Sequence, residues 1–270
     1  MGHQRRVLAV IPARMASTRL PGKPLKDIGG KTLIERVWDQ GKKCRSLSQL
    51  IVATDSPEIE AEVKAFGGEV LMTSPDLATG SERVAVASQV LPGPWDAVVN
   101  IQGDMPFIRS ELVDQVVEFL LTSEIKCDMA TAATPIYSEE AFHSPANVKV
   151  VVSDKKEALY FSRAPIPFSR DGEHLKVPFA GPPGAIVYGF KHFGLYVFRP
   201  EVLQVYQSSE LSPLEKIEKL EQLRLMEKGY RIGVCVVDPD LTAKAVEVDT
   251  PEDLAEANSI ARTVSLDRGV

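Results

Sequence analysis

The first half of the chain alternates short apolar runs with amphipathic segments, and this order constrains the fold more than any other feature. The run Val7–Ile11 has no polar alternation, which is typical of a strand that is buried on both faces. Similar runs follow at Leu50–Ala53, Val70–Met72 and Ala97–Ile101. The segments between them place apolar residues at helical spacing, and several open with residues that cap helices. The pattern predicts an α/β fold with a mostly parallel sheet that is flanked by helices.

Past residue 129 the alternation changes, because few segments of helical length separate the apolar runs. These strand-like runs are Met129–Pro135, Val148–Val152, Ala158–Ser162 and Phe193–Phe198. We predict a smaller mixed β insertion, which forms a subregion over residues 129–210 within a single domain of residues 1–270. The stretch 164–189 is rich in proline and glycine and predicts a long loop, a feature that is usually functional in compact domains.

Helical signals return near the C-terminal end of the chain. The capping sequence Ser212–Glu215, with proline at the first helical position, predicts a helix that continues to Gly229. An apolar strand follows, and a second short strand is predicted to reach Asp249. Thr250 then caps the final helix.

Charge and composition exclude several classes of protein. The chain has 31 Lys and Arg against 37 Asp and Glu, a net charge of −6, which argues against binding nucleic acid through a surface that neutralises phosphates. No segment approaches the roughly 20 apolar residues of a membrane helix. The 3 cysteines lie far apart, which favours free thiols in a reducing compartment. We therefore expect a soluble, cytoplasmic protein that binds neither nucleic acid nor membrane.

The loop after the first strand, residues 11–25, concentrates positive charge. Arg14, Arg19 and Lys23 lie within ten positions of one another, among small residues with accessible backbone N–H groups. Guanidinium forks, an ammonium and backbone N–H groups together suit a triphosphate. A loop that follows a parallel strand also lies at the sheet edge where α/β proteins bind ligands. The loop matches neither Walker A nor G-x-G-x-x-G, and a solvated polar loop is the alternative interpretation.

Two aspartates follow apolar runs, Asp104 after Ala97–Ile101 and Asp249 near the C-terminal end. A carboxylate beside a buried strand is costly unless a cation receives it. Mg²⁺ is such a cation, since it usually takes one or two carboxylates together with substrate phosphates. For Asp104 a turn or capping role is the alternative, and for Asp249 a helix cap.

Several stretches of the chain match one known family in the family's own order, from about Val7 to Leu254. They are P-A-R-M-A-S-T-R-L-P-G-K-P-L, I-V-A-T-D, G-S-E-R, N-I-Q-G-D, A-L-Y-F-S-R-A-P-I-P, H-F-G-L-Y, S-P-L-E-K-I-E-K-L-E-Q-L-R and V-D-T-P-E-D. The chain resembles the 3-deoxy-D-manno-octulosonate cytidylyltransferase (CMP-Kdo synthetase) family. This resemblance implies a Rossmann-like nucleotidyltransferase fold, a homodimer, Mg²⁺ as cofactor, and transfer of CMP from CTP to Kdo for lipopolysaccharide synthesis, with release of pyrophosphate.

The resemblance also implies roles for matching positions on the nucleotide side. The CTP phosphates would be held by Arg14, Arg19 and Lys23. Ser81 and Gln102 would lie near the cytidine and the sugar. Mg²⁺ would be bound by Asp104 and Asp249, which with Lys23 make up the catalytic set. Met105 stands where the family usually has glutamate.

On the sugar side, the resemblance implies five residues around the Kdo acid, namely Arg163, His192, Tyr196, Glu221 and Gln222. The last two lie within the helix predicted to run to Gly229. Two other interpretations stay open: a cytidylyltransferase for another acidic sugar such as a sialic acid, and a non-catalytic module that binds sugar nucleotides. The presence of Lys23, Asp104 and Asp249 favours an enzyme.

Overall fold

A computed structural model describes residues 5–77, 79–175 and 184–267, with side chains described as far as residue 263. The chain forms two compact units, Met1–Asp114 with Thr242–Val270, and Gln115–Leu241. The expectation of a single domain with a 129–210 subregion stays a prediction. In the described part of the chain, no helix is long and apolar enough to cross a bilayer.

The first unit is built on a parallel sheet whose strands lie in the order β3–β2–β1–β4. The strands are β1 (Val7–Ala13), β2 (Gln49–Thr54), β3 (Val70–Met72) and β4 (Ala97–Asn100). The helices are α1 (Leu33–Gly41), α2 (Pro57–Ala65), α3 (Gly80–Val90), the first residues of α4 (Ser110–Thr122), and α9 (Pro251–Asp267). Val7–Ile11 is almost wholly buried, which confirms that the unalternated apolar run is a central strand. The predicted α/β fold with a mostly parallel sheet is confirmed.

The second unit contains the predicted mixed β region. Its strands are β5 (Met129–Ile136), β6 (Lys149–Val152), β7 (Ala158–Ser162), β8 (Gly189–Phe198) and β9 (Ile232–Val236). β5 pairs antiparallel with β8 and parallel with β9, while β6 pairs antiparallel with both β7 and β8. The helices of this unit are the rest of α4, with α5 (Glu139–His143), α6 (Pro200–Ser208), α7 (Pro213–Glu218) and α8 (Leu223–Glu227). The predicted loop 164–189 falls partly on residues 176–183, which lie outside the described residues.

The helix predicted from Ser212 to Gly229 is wrong, because the structure has two shorter helices there. α7 ends at Glu218, and Lys219 takes a left-handed conformation with φ of 57°. Arg224 on α8 then reaches back to Glu215 on α7 in a buried bidentate ion pair, with both N–O distances 2.7 Å. The break therefore lets α7 and α8 contact each other through the ion pair of Glu215 and Arg224. Glu221 and Gln222 lie in the link between the helices.

The short strand predicted to reach Asp249 is also wrong. Residues 245–249 have no strand structure. The backbone N–H of Val248 donates a hydrogen bond of 2.9 Å to the carbonyl of Asp104. Within the described ranges no ladder of such bonds forms around it. A strand needs repeated pairing, and one bond fixes only the position of the neighbouring Asp249.

Candidate active site

The basic loop after β1 is shaped by a glycine that the sequence L-P-G-K-P-L supplies. Gly22 has φ of 67°, a left-handed conformation that side chains other than glycine rarely adopt. It precedes a short 3-10 helix, Lys23–Leu25, in which Pro24 is buried. The chain thereby turns sharply and presents Lys23 from a constrained backbone. Arg14 and Arg19, earlier in the same loop, have exposed side chains.

A second glycine brings the turn after β4 close to β1. A Cβ atom at Gly103 would lie 2.6 Å from the carbonyl oxygen of Pro12, so only glycine allows this approach. Asp104 follows directly and is placed beside the end of β1. The glycine of Q-G-D is therefore required for a steric reason that is independent of any ligand.

Four charged side chains of the first unit converge, and we call them the acid–lysine cluster: Arg19, Lys23, Asp104 and Asp249. Lys23 Nζ lies 3.0 Å from Asp104 Oδ2 and 3.0 Å from Asp249 Oδ1. Arg19 Nη2 lies 2.8 Å from Asp249 Oδ2. The side chain of Lys23 is 16% exposed, whereas that of Arg19 is 64% exposed. The cluster thus has a sheltered centre at Lys23 and an open side at Arg19.

The last helix is not capped by Asp249, so the alternative interpretation of this residue is wrong. The Thr250 hydroxyl accepts a hydrogen bond from the backbone N–H of Asp253, 3.2 Å long. The Asp253 carboxylate in turn accepts from the N–H groups of Asp249 and Thr250. Burial favours the neutral form of Asp253, but these hydrogen bonds outweigh it and lower its pKa. The carboxylate of Asp249 is thereby left to face Lys23 and Arg19.

Electrostatics keep Lys23 charged. Burial is the largest single influence and favours the neutral amine, but the two aspartates together outweigh it and raise the pKa of Lys23. A lysine with a raised pKa is protonated throughout the physiological range. It can therefore neutralise the charge of a bound polyphosphate.

The two aspartates fit a hard divalent cation. Asp104 Oδ1 is buried and lacks a hydrogen-bond partner, which is costly for a carboxylate oxygen unless a ligand receives it. In the part of the chain that the structure describes, no group of three or more His, Cys, Asp or Glu side chains is placed to hold a metal. A site with two carboxylates is typical of Mg²⁺ that also binds substrate phosphates.

Ser81 and Gln102 occupy different surroundings. Ser81, in the first turn of α3, is buried, and its hydroxyl accepts a hydrogen bond from Asn100 Nδ2, 3.2 Å long. Asn100 Oδ1 is buried without a hydrogen-bond partner, so it can accept a hydrogen bond from a ligand. Gln102 is half-buried in the turn before Asp104. The sequence reasoning missed Asn100, although a polar residue at the end of the apolar run V-V-N was a signal for it.

Met105 and Arg83 belong to the interior of the first unit. Met105 is 1% exposed, so the position where the family usually has glutamate is an apolar core position here. Arg83, which the sequence reasoning also missed, is 2% exposed and forms an ion pair with Asp55 of 2.9 Å. It also bonds the Thr73 hydroxyl, and therefore holds α3 against the ends of β2 and β3.

In the second unit, Arg163 is anchored by its neighbours. Its Nε donates to the carbonyl of Glu218, 3.0 Å away, and its Nη1 to the carbonyl of Pro145, also 3.0 Å away. The Glu218 carboxylate accepts from the backbone N–H of Arg163 and from the Ser162 hydroxyl. The guanidinium is thus held at a defined place after β7.

His192, Tyr196 and Gln222 form one buried cluster in the second unit. The rings of His192 and Tyr196 lie 5.6 Å apart, and Tyr196 Oη donates to Gln222 Oε1 over 3.0 Å. Gln222 Nε2 is buried without a partner, so this amide has two N–H donors for a ligand. Next to it, Glu221 accepts a hydrogen bond from Tyr206 Oη, 3.2 Å long.

His192 is neutral in the folded protein. Burial lowers its pKa from 6.5 to about 3. Its Nε2 lies 2.9 Å from the hydroxyl of Thr131, which donates its own proton to the Leu195 carbonyl. The hydroxyl must then accept from His192, which assigns the proton of the imidazole to Nε2. His192 can hydrogen-bond a substrate, but it is a poor proton donor to one.

This depressed pKa predicts a pH-dependent stability. Between pH 6.5 and pH 3 the unfolded chain binds a proton at His192 that the folded chain excludes, so stability falls as the pH falls. From pH 7 to pH 5 the loss is about 2 kcal/mol in the free energy of unfolding. The free energy of unfolding is measured in urea at pH 7 and at pH 5. We expect it to fall by about 2 kcal/mol less in His192→Gln than in the wild type. His143→Gln, at an exposed position of α5, is the control, and an unchanged pH dependence in His192→Gln would contradict the assignment.

Comparisons with known proteins place the chain among the nucleotidyltransferases. The family described as "Cytidylyltransferase" matches residues 8–232. The chain is 42% identical to the 3-deoxy-manno-octulosonate cytidylyltransferase of Cytophaga hutchinsonii over 248 residues, which are 92% of this chain and 94% of that protein. It is 44% identical to that of Syntrophobacter fumaroxidans over 250 residues, again 92% of this chain and 94% of that protein. The chain therefore belongs to the 3-deoxy-manno-octulosonate cytidylyltransferase (CMP-Kdo synthetase) family.

Solved structures support the same placement. A CMP:2-keto-3-deoxy-manno-octonic acid synthetase complexed with CTP superposes with a TM-score of 0.83 at 35% identity, covering 97% of this chain and 99% of that chain. A 4-diphosphocytidyl-2C-methyl-D-erythritol synthase from Anaerococcus prevotii has a TM-score of 0.60 at 15% identity, over 96% of this chain and 97% of that one. The second likeness concerns the fold alone.

Proposed function

We infer that this chain transfers CMP from CTP to Kdo, giving CMP-Kdo and pyrophosphate. The observation that carries this conclusion is the 42% identity over 92% of the chain to an enzyme of that activity. The acid–lysine cluster supports it, because the cluster places charge where a nucleotide triphosphate needs it. CMP-Kdo is the activated sugar from which lipopolysaccharide synthesis would proceed.

The reaction is a displacement at the α-phosphorus of CTP. The oxygen of the anomeric hydroxyl of Kdo forms a bond to the α-phosphorus and loses its proton to solvent. The bond from the α-phosphorus to the oxygen that bridges it to the β-phosphorus breaks, and pyrophosphate leaves in line. Such a transfer depends on positioning and neutralisation of charge more than on a protein nucleophile. Lys23 and Arg19 carry that charge within the cluster, and Arg14 extends it along the loop.

We propose that Asp104 and Asp249 hold Mg²⁺ together with the CTP phosphates. When bound, the ion polarises phosphoryl oxygens and lowers the pKa of the attacking hydroxyl. The unpartnered Asp104 Oδ1 supports this role, since it is a buried acceptor of the kind that Mg²⁺ prefers. Lys23 keeps the two carboxylates oriented through its two contacts of 3.0 Å.

Ser81 and Gln102 are proposed to lie near the cytidine and the sugar. The unpartnered Oδ1 of Asn100, beside Ser81, supports a polar contact there, because a site that hydrogen-bonds a base discriminates against bases that leave its groups unpaired. For the sugar we propose Arg163 at the carboxylate of Kdo. Hydrogen bonds to the hydroxyl groups would come from His192, Tyr196, Glu221 and Gln222.

Pyrophosphate release with purified protein, Mg²⁺, CTP and Kdo tests this function. We expect turnover with CTP and Kdo, and at least about 100-fold lower kcat/KM when ATP replaces CTP. A third reaction replaces Kdo by a sialic acid. Preferred turnover of the sialic acid would indicate the cytidylyltransferase for another acidic sugar. Binding of CTP without turnover of either acid would indicate a non-catalytic module.

We also propose that the protein is a cytoplasmic homodimer. Cys44, Cys127 and Cys235 are free, which agrees with a reducing compartment. Phe168 in the second unit is 86% exposed, and we propose that it lies in the contact between the two subunits. Sedimentation velocity of the wild type and of Phe168→Asp measures the assembly. A monomer at micromolar concentration would contradict it.

A further inference from the structure

Lys149 is a lysine whose side chain is completely buried. It opens β6 and has no exposed area. Its Nζ donates to three backbone carbonyls, those of Ser144 at 2.9 Å, Asn147 at 2.7 Å and Arg163 at 2.6 Å. An ammonium has three N–H donors and a neutral amine only two, so this geometry requires the charged form.

The charge of Lys149 is not cancelled by its contacts, because all three partners are neutral carbonyls. Burial is the main influence and lowers the pKa of Lys149, the positive charge of Arg163 lowers it further, and Glu218 opposes both. A buried cation without a carboxylate partner is expensive for folding. Of these three groups Lys149 and Arg163 are positive and Glu218 is negative, so together they carry a net positive charge, which suits an acid.

The same turn connects Lys149 to the guanidinium of Arg163. Lys149 donates hydrogen bonds to two backbone carbonyls of the turn 144–147, those of Ser144 and Asn147. The carbonyl of Pro145, which lies between them in sequence, accepts a hydrogen bond of 3.0 Å from Arg163 Nη1. Lys149 therefore fixes the backbone of Arg163 and also the turn on which its side chain rests. Arg163 uses two of its five N–H groups on the carbonyls of Pro145 and Glu218, which leaves N–H groups for a ligand.

We propose that Lys149 is a positioning residue for the acidic substrate. Its buried ammonium aligns Arg163 and supplies uncompensated positive charge, so that the carboxylate of an acidic sugar is bound in one orientation. This inference rests on the proposed function, in which Arg163 binds the carboxylate of Kdo. A purely structural lysine would hold the turn equally well, but its loss would not act on one substrate alone.

The test compares Lys149→Met with Lys149→Gln. The first removes all donors, and the second removes the charge but keeps two N–H groups, so it remains informative where the first fails to fold. We expect the KM for Kdo to rise about tenfold or more, because a misplaced binding group costs this much, while the KM for CTP changes less than about twofold. Calorimetric titration of Kdo measures the same loss without turnover.

Two further variants decide whether Lys149 acts through Arg163. Arg163→Met should raise the KM for Kdo by itself, and the double variant Lys149→Met with Arg163→Met should be little worse than Arg163→Met, since coupled residues are not additive. Lys191→Met is the matched control, because Lys191 lies opposite Lys149 in the pairing of β6 with β8. We expect it to leave the KM for Kdo near that of the wild type.

Three results would overturn the proposal: multiplicative losses in the double variant, parallel loss of CTP and Kdo affinity, or an equal effect of Lys191→Met. The proposed function fails differently. A wild type that binds Kdo in the calorimeter but releases no pyrophosphate with CTP contradicts the transfer reaction, while the Kdo affinities of the Lys149 variants still test Lys149.

Discussion

Asp104→Asn and Asp249→Asn are each expected to lower kcat for CMP transfer by about 10²–10³-fold, the range typical of a lost electrostatic contact at a transition state. The double variant is expected to be little worse than either single variant. The reason is that both carboxylates contact one ammonium, at 3.0 Å each, and are proposed to share one ion. Groups that act as a unit lose their function together, so their effects are not multiplicative.

The measurement is initial-rate CMP-Kdo formation across a titration of Mg²⁺, for both single variants and the double variant. Each single variant should need more Mg²⁺ for half-maximal rate. Asp39→Asn is the control, since Asp39 is also paired with a lysine, Lys31, but on the exposed surface. Strictly multiplicative losses with an unchanged Mg²⁺ dependence would show that the aspartates do not share a metal.

Hydropathy predicted most of the strands of this protein, because their signal is local. Val7–Ile11 is apolar at every position, which is typical of a strand that is buried on both faces. The contact between Lys23 and Asp249 is of another kind, since 226 positions separate the two residues and only the folded sheet brings them together. The sequence singled out Lys23 and Asp249 separately, and the resemblance to a family put both in one catalytic set.

The wrong helix prediction shows the limit of local signals. The capping box at Ser212 and the apolar spacing up to Gly229 are both present, and they favour one continuous helix. In the structure the helix ends before Lys219, and the carbonyl of the preceding Glu218 accepts a hydrogen bond from Arg163 Nε. That bond comes from a residue 55 positions away and is a tertiary contact. No pattern within residues 212–229 contains it. The buried pair of Glu215 with Arg224 lies within this segment, but one continuous helix would hold the two residues about 13 Å apart along its axis, so the pair requires the break. The same break places Glu221 and Gln222 outside a helix.

Lys23→Ala is expected to reduce kcat by about 10²–10³-fold while the protein stays folded, because an ammonium beside the phosphates stabilises charge in the transition state. The side chain is 16% exposed and makes two ion pairs, so its loss leaves two carboxylates without their common cation. We expect a cost of about 1–2 kcal/mol in stability, which a domain of ordinary stability tolerates. Thermal unfolding by circular dichroism and steady-state rates measure the two effects separately.

Lys26→Ala is the matched control for Lys23→Ala, since Lys26 is a half-buried lysine that directly follows the same 3-10 helix. It should change neither the rate nor the Tm appreciably. Lys23→Arg separates charge from shape: a guanidinium keeps the charge but not the compact contact with both carboxylates, so we expect near-normal stability and a partial rate. A collapsed Tm in Lys23→Ala, with stability and rate both restored in Lys23→Arg, would mean that Lys23 serves the fold, and the catalytic assignment would then rest on the aspartates alone.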